Sequence, residues 1–249
     1  MTDDSRSSVH AVPVSAREHA LFLDFDGTLA PLQDNPDTVA LPSGGADTLL
    51  ALHACFQGAL VLISGRDVRD LSARTPSPLW RAGGHGLEIC APDEAPASHV
   101  QSIDASILTQ AKEIIAPFSD VRIEEKGPVL AIHFRQNPQA ELPLLAALQG
   151  LADETEGYKA QHGKMVIELK PSRANKGVAL NAMMARPGFV GRRPIMVGDD
   201  TTDEDAMQAA AALGGFGIKV GDGATFAKHR FETTDHVWDW LRSIVNEHA

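Results

Sequence analysis

At 249 residues with 43% hydrophobic content, the chain has material for one large core or two modest ones. Its formal net charge of -11 excludes the clustered basic surface that nucleic-acid binding needs. It also denies an acidic ligand any attraction from the overall field, so such a ligand requires local cations or a metal. The polar, Ser-rich segment Met1 to Glu18 has no apolar run and reads as a flexible tail, not a signal peptide. No apolar stretch approaches the ~20 residues of a membrane span. Cys55 and Cys90 sit in apolar contexts without CxxC or zinc-ligand spacing, as expected of reduced thiols in a cytoplasmic protein.

Leu21 to Asp24 is the first predicted strand, and it runs directly into Asp24-Phe25-Asp26-Gly27-Thr28. A helix is predicted over Gly44–Gln57, a strand over Ala59–Ile63, a short helix over Asp67–Ala73 and a strand over Trp80–Gly84. Continuous apolar strands alternating with helices specify a parallel sheet covered on both faces. The Pro- and acid-rich segment 91–96 then reads as a linker.

The middle of the chain has a different pattern: a helix over Asp104–Pro117, strands over Val121–Glu125 and Val129–Arg135, a helix over Pro138–Leu151, and strands over Tyr158–Gln161 and Met165–Leu169. Leu130, Ile132 and Phe134 fall on one strand face, with His133 and Arg135 on the other. Val166 and Glu168 likewise oppose Met165, Ile167 and Leu169. That alternation suits a sheet with one face on helices and one face open. A second boundary is expected at Lys170-Pro171-Ser172. Beyond it the first pattern resumes: helix Asn175–Met184, strand Pro194–Val197, helix Thr202–Ala212, strand Gly217–Val220 and helix Asp235–Asn246. The expected fold is α/β, a doubly wound, Rossmann-like parallel-sheet core over 19–95 and 170–249. An α+β cap is inserted over 96–169, and the tail occupies 1–18.

Four segments fall at the ends of core strands, where open α/β sheets place their ligands. Asp24 and Asp26 point the same way from an extended backbone. Two such anions repel unless a cation or a proton lies between them. An ordinary Asp-Gly turn is the competing reading. Ser64-Gly65-Arg66 offers a hydroxyl and backbone amides for phosphate oxygens, although a plain helix cap at Ser64 explains it equally. Lys176 is a cation in a first helical turn, where the macrodipole disfavours it. Gly198-Asp199-Asp200-Thr201-Thr202-Asp203-Glu204-Asp205 follows an apolar strand. Asp199 and Asp200 stand at the strand tip, while Glu204 and Asp205 match capping-box spacings from Thr201 and Thr202 and are read as capping or surface residues.

In order and spacing, these four segments resemble the motifs of haloacid dehalogenase-type phosphohydrolases. Ala30-Pro31-Leu32, Gly84-His85-Gly86-Leu87-Glu88, Glu124-Glu125-Lys126-Gly127, His133-Phe134-Arg135 and Glu168-Leu169-Lys170-Pro171 narrow the resemblance to the trehalose-6-phosphate phosphatases. The resemblance covers essentially the whole chain and implies a hydrolase releasing phosphate from trehalose 6-phosphate, the closing step of trehalose biosynthesis. Asp24 is then the nucleophile and Asp26 the acid and base. Ser64 and Lys176 hold the transferring phosphoryl group. The resemblance implies Mg2+ held by Asp24, the Asp26 carbonyl and Asp199, with Asp200 orienting a bound water. Arg66, His85, Glu88, Lys126, His133, Arg135 and Glu168 become the sugar-binding set. The implied partner is a small sugar phosphate, with no nucleic acid or membrane, and a monomer is expected.

Two other readings stay open: a phosphatase of the same type acting on sucrose or mannosyl phosphate, and a degenerate relative that only binds its ligand. Intact Asp24, Asp26, Lys176 and Asp199 argue against the second.

Overall fold

The computed structural model describes residues 12–33, 35–98, 102–163 and 165–248. They divide into two compact units, one formed by the chain up to Pro96 together with Asn175 onward, the other by Ala97–Ala174.

The first unit is built on a seven-stranded sheet. Its strands are β1 (His19–Leu23), β2 (Leu60–Ile63), β3 (Trp80–Gly83), β4 (Glu88–Cys90), β9 (Arg193–Gly198), β10 (Phe216–Val220) and β11 (His229–Phe231), in the spatial order β11-β10-β9-β1-β2-β3-β4. All neighbours are parallel except β3 and β4. The central strands are buried along their whole length, which is why Leu21–Leu23 and Leu60–Ile63 read as unbroken apolar runs. The unit's helices are α1 (Gly45–Cys55), α2 (Val68–Arg74), α5 (Lys176–Met184), α6 (Thr201–Ala212) and α7 (Thr234–His248). Among them α5 packs on α6, and α1 on α7. From β1 the chain winds outward through β2 and β3, then returns to β9 on the other side of β1. The order therefore reverses at β1, and Asp24 stands at that switch point.

Two short strands escape sequence reading. Both β4 and β11 are three residues long and lie at the sheet's edges, too short for a periodic signal. The expected tail through Glu18 also needs correcting. Ala16 is buried, Val12 and Val14 pack against the core, and the Trp240 indole N–H donates to the Val12 carbonyl at 3.5 Å. Apolar Val12, Val14 and Ala16 explain why this stretch packs. The remainder of the expected tail, 1–11, lies outside the described residues.

The second unit is a four-stranded antiparallel sheet of β5 (Arg122–Lys126), β6 (Val129–His133), β7 (Tyr158–Gly163) and β8 (Val166–Pro171), ordered β5-β6-β8-β7. Its helices are α3 (Ala105–Ile115) and α4 (Glu141–Glu154). Leu130, Ile132, Phe134, Ile167 and Leu169 pack with Ile107, Ala111, Leu144 and Leu148 in one apolar cluster. The opposite sheet face therefore carries Glu124 and Lys126 from β5, His133 from β6, and Glu168 and Lys170 from β8. Lys170 and Pro171 are paired strand residues. Because β6 ends at His133, Arg135 lies in an exposed turn and not on the strand.

Candidate active site

At the tip of β1 the Asp24 N–H donates to the Val197 carbonyl at 3.0 Å, continuing the β1–β9 ladder one residue past the strand. Two glycines permit the acids beyond it to close up. Gly27 has a φ of +75°, and a Cβ there would stand 2.1 Å from Asp199 Oδ2. At Gly198 an added Cβ would meet the Asp203 carboxyl carbon at 2.3 Å. Larger residues at either position would push the acidic loops apart.

Asp24, Asp199 and Asp203 each place a carboxylate oxygen within 4.8 Å of the others. Lys176, the first residue of α5, enters this group from the side. Its Nζ donates to Asp24 Oδ1 and to Asp203 Oδ1, both at 2.6 Å, and all three side chains are at most 5% exposed. Burial opposes the Lys176 charge, but Asp203 and Asp24 outweigh it and hold the ammonium above its ordinary range. Asp24 is raised well above the usual carboxylate range by burial and by Asp203, against the pull of Lys176. Burial, with Asp203 and Asp200 adding, pushes Asp199 up to about 6. Lys176, together with buried Lys219, which acts on Asp199 and donates to its backbone carbonyl, offsets only part of the negative charge of these acids. Hard oxygen donors packed this closely fit a divalent cation such as Mg2+, which would relieve the remainder.

Asp26 is placed differently. Arg66 holds it bidentately, Nε to Oδ2 at 2.7 Å and Nη2 to Oδ1 at 2.6 Å. The same guanidinium reaches Asp70 Oδ2 at 2.7 Å and the Pro36 carbonyl at 2.9 Å. Ser64 is buried at the tip of β2, next to β1, and its Oγ accepts the Arg66 N–H at 3.1 Å. His85 adopts the left-handed conformation, with φ 56°, and its N–H donates to the Ser64 carbonyl at 2.8 Å. Its imidazole stands beside Gly65, where a Cβ would lie 2.7 Å from Cε1.

The structure thus brings Asp24, Lys176 and Asp199 together, pairs Asp26 with Arg66, and sets Ser64 and His85 alongside. Glu88 pairs instead with Arg69, at 2.8 Å. The Asp200 carboxyl is not in the converging group. Asp200 is the N-cap of α6, and its Oδ1 accepts the Thr201 hydroxyl at 3.3 Å. Asp203, given no role of its own from the sequence, belongs to the cluster. The helix begins at Thr201, so Asp203 is the third helical residue, and its carboxylate turns back to accept the Asp200 N–H at 3.0 Å. Asp200-x-x-Asp203 spacing was the available signal, masked by the same spacing from Thr201 and Thr202.

Neither Glu204 nor Asp205 caps α6, but Asp205 is exposed, as the surface reading expects. Glu204 Oε2 accepts the Phe226 N–H at 2.8 Å, and Asp205 Oδ2 accepts the Asn175 amide at 2.5 Å. Asn175 in turn caps α5, its Oδ1 accepting the N–H groups of Gly177 and Val178. This tie fixes the helix end that carries Lys176.

In the second unit, Glu124 Oε2 accepts from His133 Nε2 at 2.9 Å and lies 3.4 Å from Lys126 Nζ. Burial opposes the Glu124 charge, but His133 and Lys126 prevail and lower its pKa. Glu168 Oε2 lies 3.0 Å from Lys170 Nζ.

A family model described as Trehalose-phosphatase matches residues 22–232, from β1 to just past β11. The chain belongs to the trehalose-phosphatase family. It is 37% identical over 94% of its length to the trehalose-6-phosphate phosphatase of Escherichia coli strain K12, covering 89% of that protein. It is 39% identical over 81% of its length to a probable trehalose-phosphate phosphatase of Sinorhizobium fredii, covering 77% of it. Among solved structures, the trehalose-6-phosphate phosphatase of Aspergillus fumigatus superposes with a TM-score of 0.72 at 23% identity, covering 93% of both chains. That likeness speaks for the fold. Among the described residues, no helix of this trehalose-phosphatase family member is long and apolar enough to cross a membrane.

Proposed function

We propose that this protein hydrolyses trehalose 6-phosphate to trehalose and phosphate through an aspartyl-phosphate on Asp24. The observation that carries the reading is the buried bridge from Lys176 to Asp24 and Asp203, beside Asp199, in a chain of this family.

The site residues divide the work. Asp24 attacks phosphorus and the bond to the sugar oxygen breaks. Asp26 delivers a proton to that oxygen, so in this step one carboxylate oxygen must be free of Arg66. Asp70 and the Pro36 carbonyl are positioned to keep the guanidinium in place meanwhile. Water then attacks the phosphorus of the aspartyl-phosphate, losing its proton to Asp26, and phosphate leaves. Lys176 and Ser64 hold phosphoryl oxygens, and the lysine offsets repulsion between substrate and nucleophile. Asp24, Asp199 and Asp203, with the Asp26 carbonyl, would hold Mg2+. When bound, it supplies positive charge where two anions must meet.

The sugar falls to the second unit, read as the cap. A disaccharide presents hydroxyls, which fixed donors and acceptors such as Lys126, His133 and Glu168 can read. Cytoplasmic residence belongs to the same reading, supported by the free thiols of Cys55 and Cys90.

Phosphate release with Mg2+ from a panel of trehalose 6-phosphate, sucrose phosphate, mannosyl phosphate and a small aryl phosphate tests this proposal. Trehalose 6-phosphate should give the highest kcat/KM. Preference for another sugar phosphate reassigns the substrate, and no release from any of them rejects the enzyme.

A further inference from the structure

Lys170 is among the largest fully buried side chains of the protein, with 1% of its side chain exposed. Lysine is almost never withdrawn from water unless paired. The pairing here is uneven. Lys170 reaches back along β8 to the carboxylate two residues earlier, and Glu168 keeps 20% of its side chain exposed. A buried ion pair is weak support for stability, because apolar residues of similar volume often replace it at no cost. Leu169 and Ile167 already supply the apolar face of this strand. The ammonium therefore adds little to packing that a leucine could not, and Glu168 is a carboxylate that it holds directly, at 3.0 Å.

We propose that Lys170 is a positioning residue for sugar recognition. It fixes the Glu168 carboxylate in one orientation on the sheet face shared with Lys126 and His133. A carboxylate that accepts hydrogen bonds from sugar hydroxyls must be held still, and a charge-assisted hydrogen bond from a buried cation does this. Elsewhere on that face Glu124 is paired with Lys126 and His133, and both Glu124 and Lys126 are about half exposed. Glu168, by contrast, has a buried cation against it.

The inference rests on the reading of Glu168 as a sugar ligand, and a double-mutant cycle separates the two. The variants are Glu168→Ala, Lys170→Met and the double variant, assayed on trehalose 6-phosphate and on a small aryl phosphate. Lys170→Met should raise KM for trehalose 6-phosphate about tenfold, with kcat and aryl phosphate turnover within about twofold. In the Glu168→Ala background the same change should cost nothing further, because Lys170 acts through Glu168. Lys170→Arg should restore most of the loss. If Lys170→Met does not fold, Lys170→Gln stands in for the single variant and in the double.

Full additivity, or equal losses on both substrates, assigns Lys170 to general stability and overturns the proposal. An unchanged KM in Lys170→Met with a raised one in Glu168→Ala overturns it and leaves the Glu168 reading intact. An unchanged KM in Glu168→Ala removes the reading on which both stand.

Discussion

The two units hold their charges in opposite ways. In the first, Lys176, Asp24 and Asp203 are sealed from water and joined at 2.6 Å. In the second, Glu124 and Lys126 are 49% and 48% exposed, and their nitrogen-to-oxygen separation is 3.4 Å. A buried pair acts in a low dielectric and tolerates no missing partner, whereas an exposed pair contributes about 0–1 kcal/mol and adjusts freely. The charged cluster of the first unit is thus held in one arrangement. In the second, Glu124 and Lys126 can adjust freely, while Lys170 on the same face is buried against Glu168.

The sharpest break in that contrast is Asp24→Asn. Turnover of every phosphate ester should fall by about 10⁴ or more, because the nucleophile is gone. Asp24 is strained as a carboxylate by burial and by Asp203, so the neutral isostere should leave the Tm of the metal-free protein unchanged or raised. Near-normal turnover, or a collapse in Tm, contradicts the assignment. Lys176→Met should lower kcat about 10³-fold and destabilise the metal-free fold by about 3–5 kcal/mol, since two buried carboxylates lose their shared cation. Kinetics and denaturant unfolding read the two effects separately, and a mild change in both would mean the bridge is ornamental.

Asp199 gives a pH signature of intermediate size. Its folded pKa, pushed up to about 6, lies above the unfolded value, so the folded state holds a proton that the unfolded chain has lost. In the metal-free protein this group's contribution to stability is present below about pH 4 and is lost as pH rises through about 6. Relative to Asp199→Asn, the Tm should therefore rise as pH is lowered across that window. Mg2+ has to displace the proton, so half-saturating Mg2+ should increase towards about tenfold per pH unit below that pKa. Calorimetric titration at several pH values checks it, and a flat profile excludes Asp199 from the cation site.

Glu168→Ala should raise KM for trehalose 6-phosphate about tenfold while sparing an aryl phosphate. Equal losses on both would move Glu168 into the chemistry and blur the division between units. At the small end, the ion pair of Glu18 and Arg193 is well exposed on both sides. Glu18→Ala should shift stability by less than about 0.5 kcal/mol in a denaturant melt. A loss comparable to that of Lys176→Met would mean exposure does not separate the two kinds of pair.

Much of the core was readable because its signals are local. An apolar run ending in Asp24-x-Asp26 specifies a strand, its tip and two acids without reference to anything distant. Lys176 was visible as a cation in the wrong turn of a helix. Asp203 was not, since its role depends on α6 beginning at Thr201 and on Gly198 leaving room, both set by tertiary packing. The bond from Arg69 to Glu88 joins residues whose relation appears only when β4 turns back antiparallel to β3. The alternation in β6 and β8 separated the apolar face from the charged face, but not the end of β6 at His133, which leaves Arg135 in a turn. Pattern gives faces and tips, while partners come from the fold.

The central claim, that Asp24 carries the phosphoryl group, is tested most directly by acid-quenching a single turnover of phosphorus-labelled trehalose 6-phosphate with Mg2+ and mapping the label. It should appear on the peptide containing Asp24 and be absent from Asp24→Asn. Label on any other residue, or phosphate released at the normal rate by Asp24→Asn, would contradict the account.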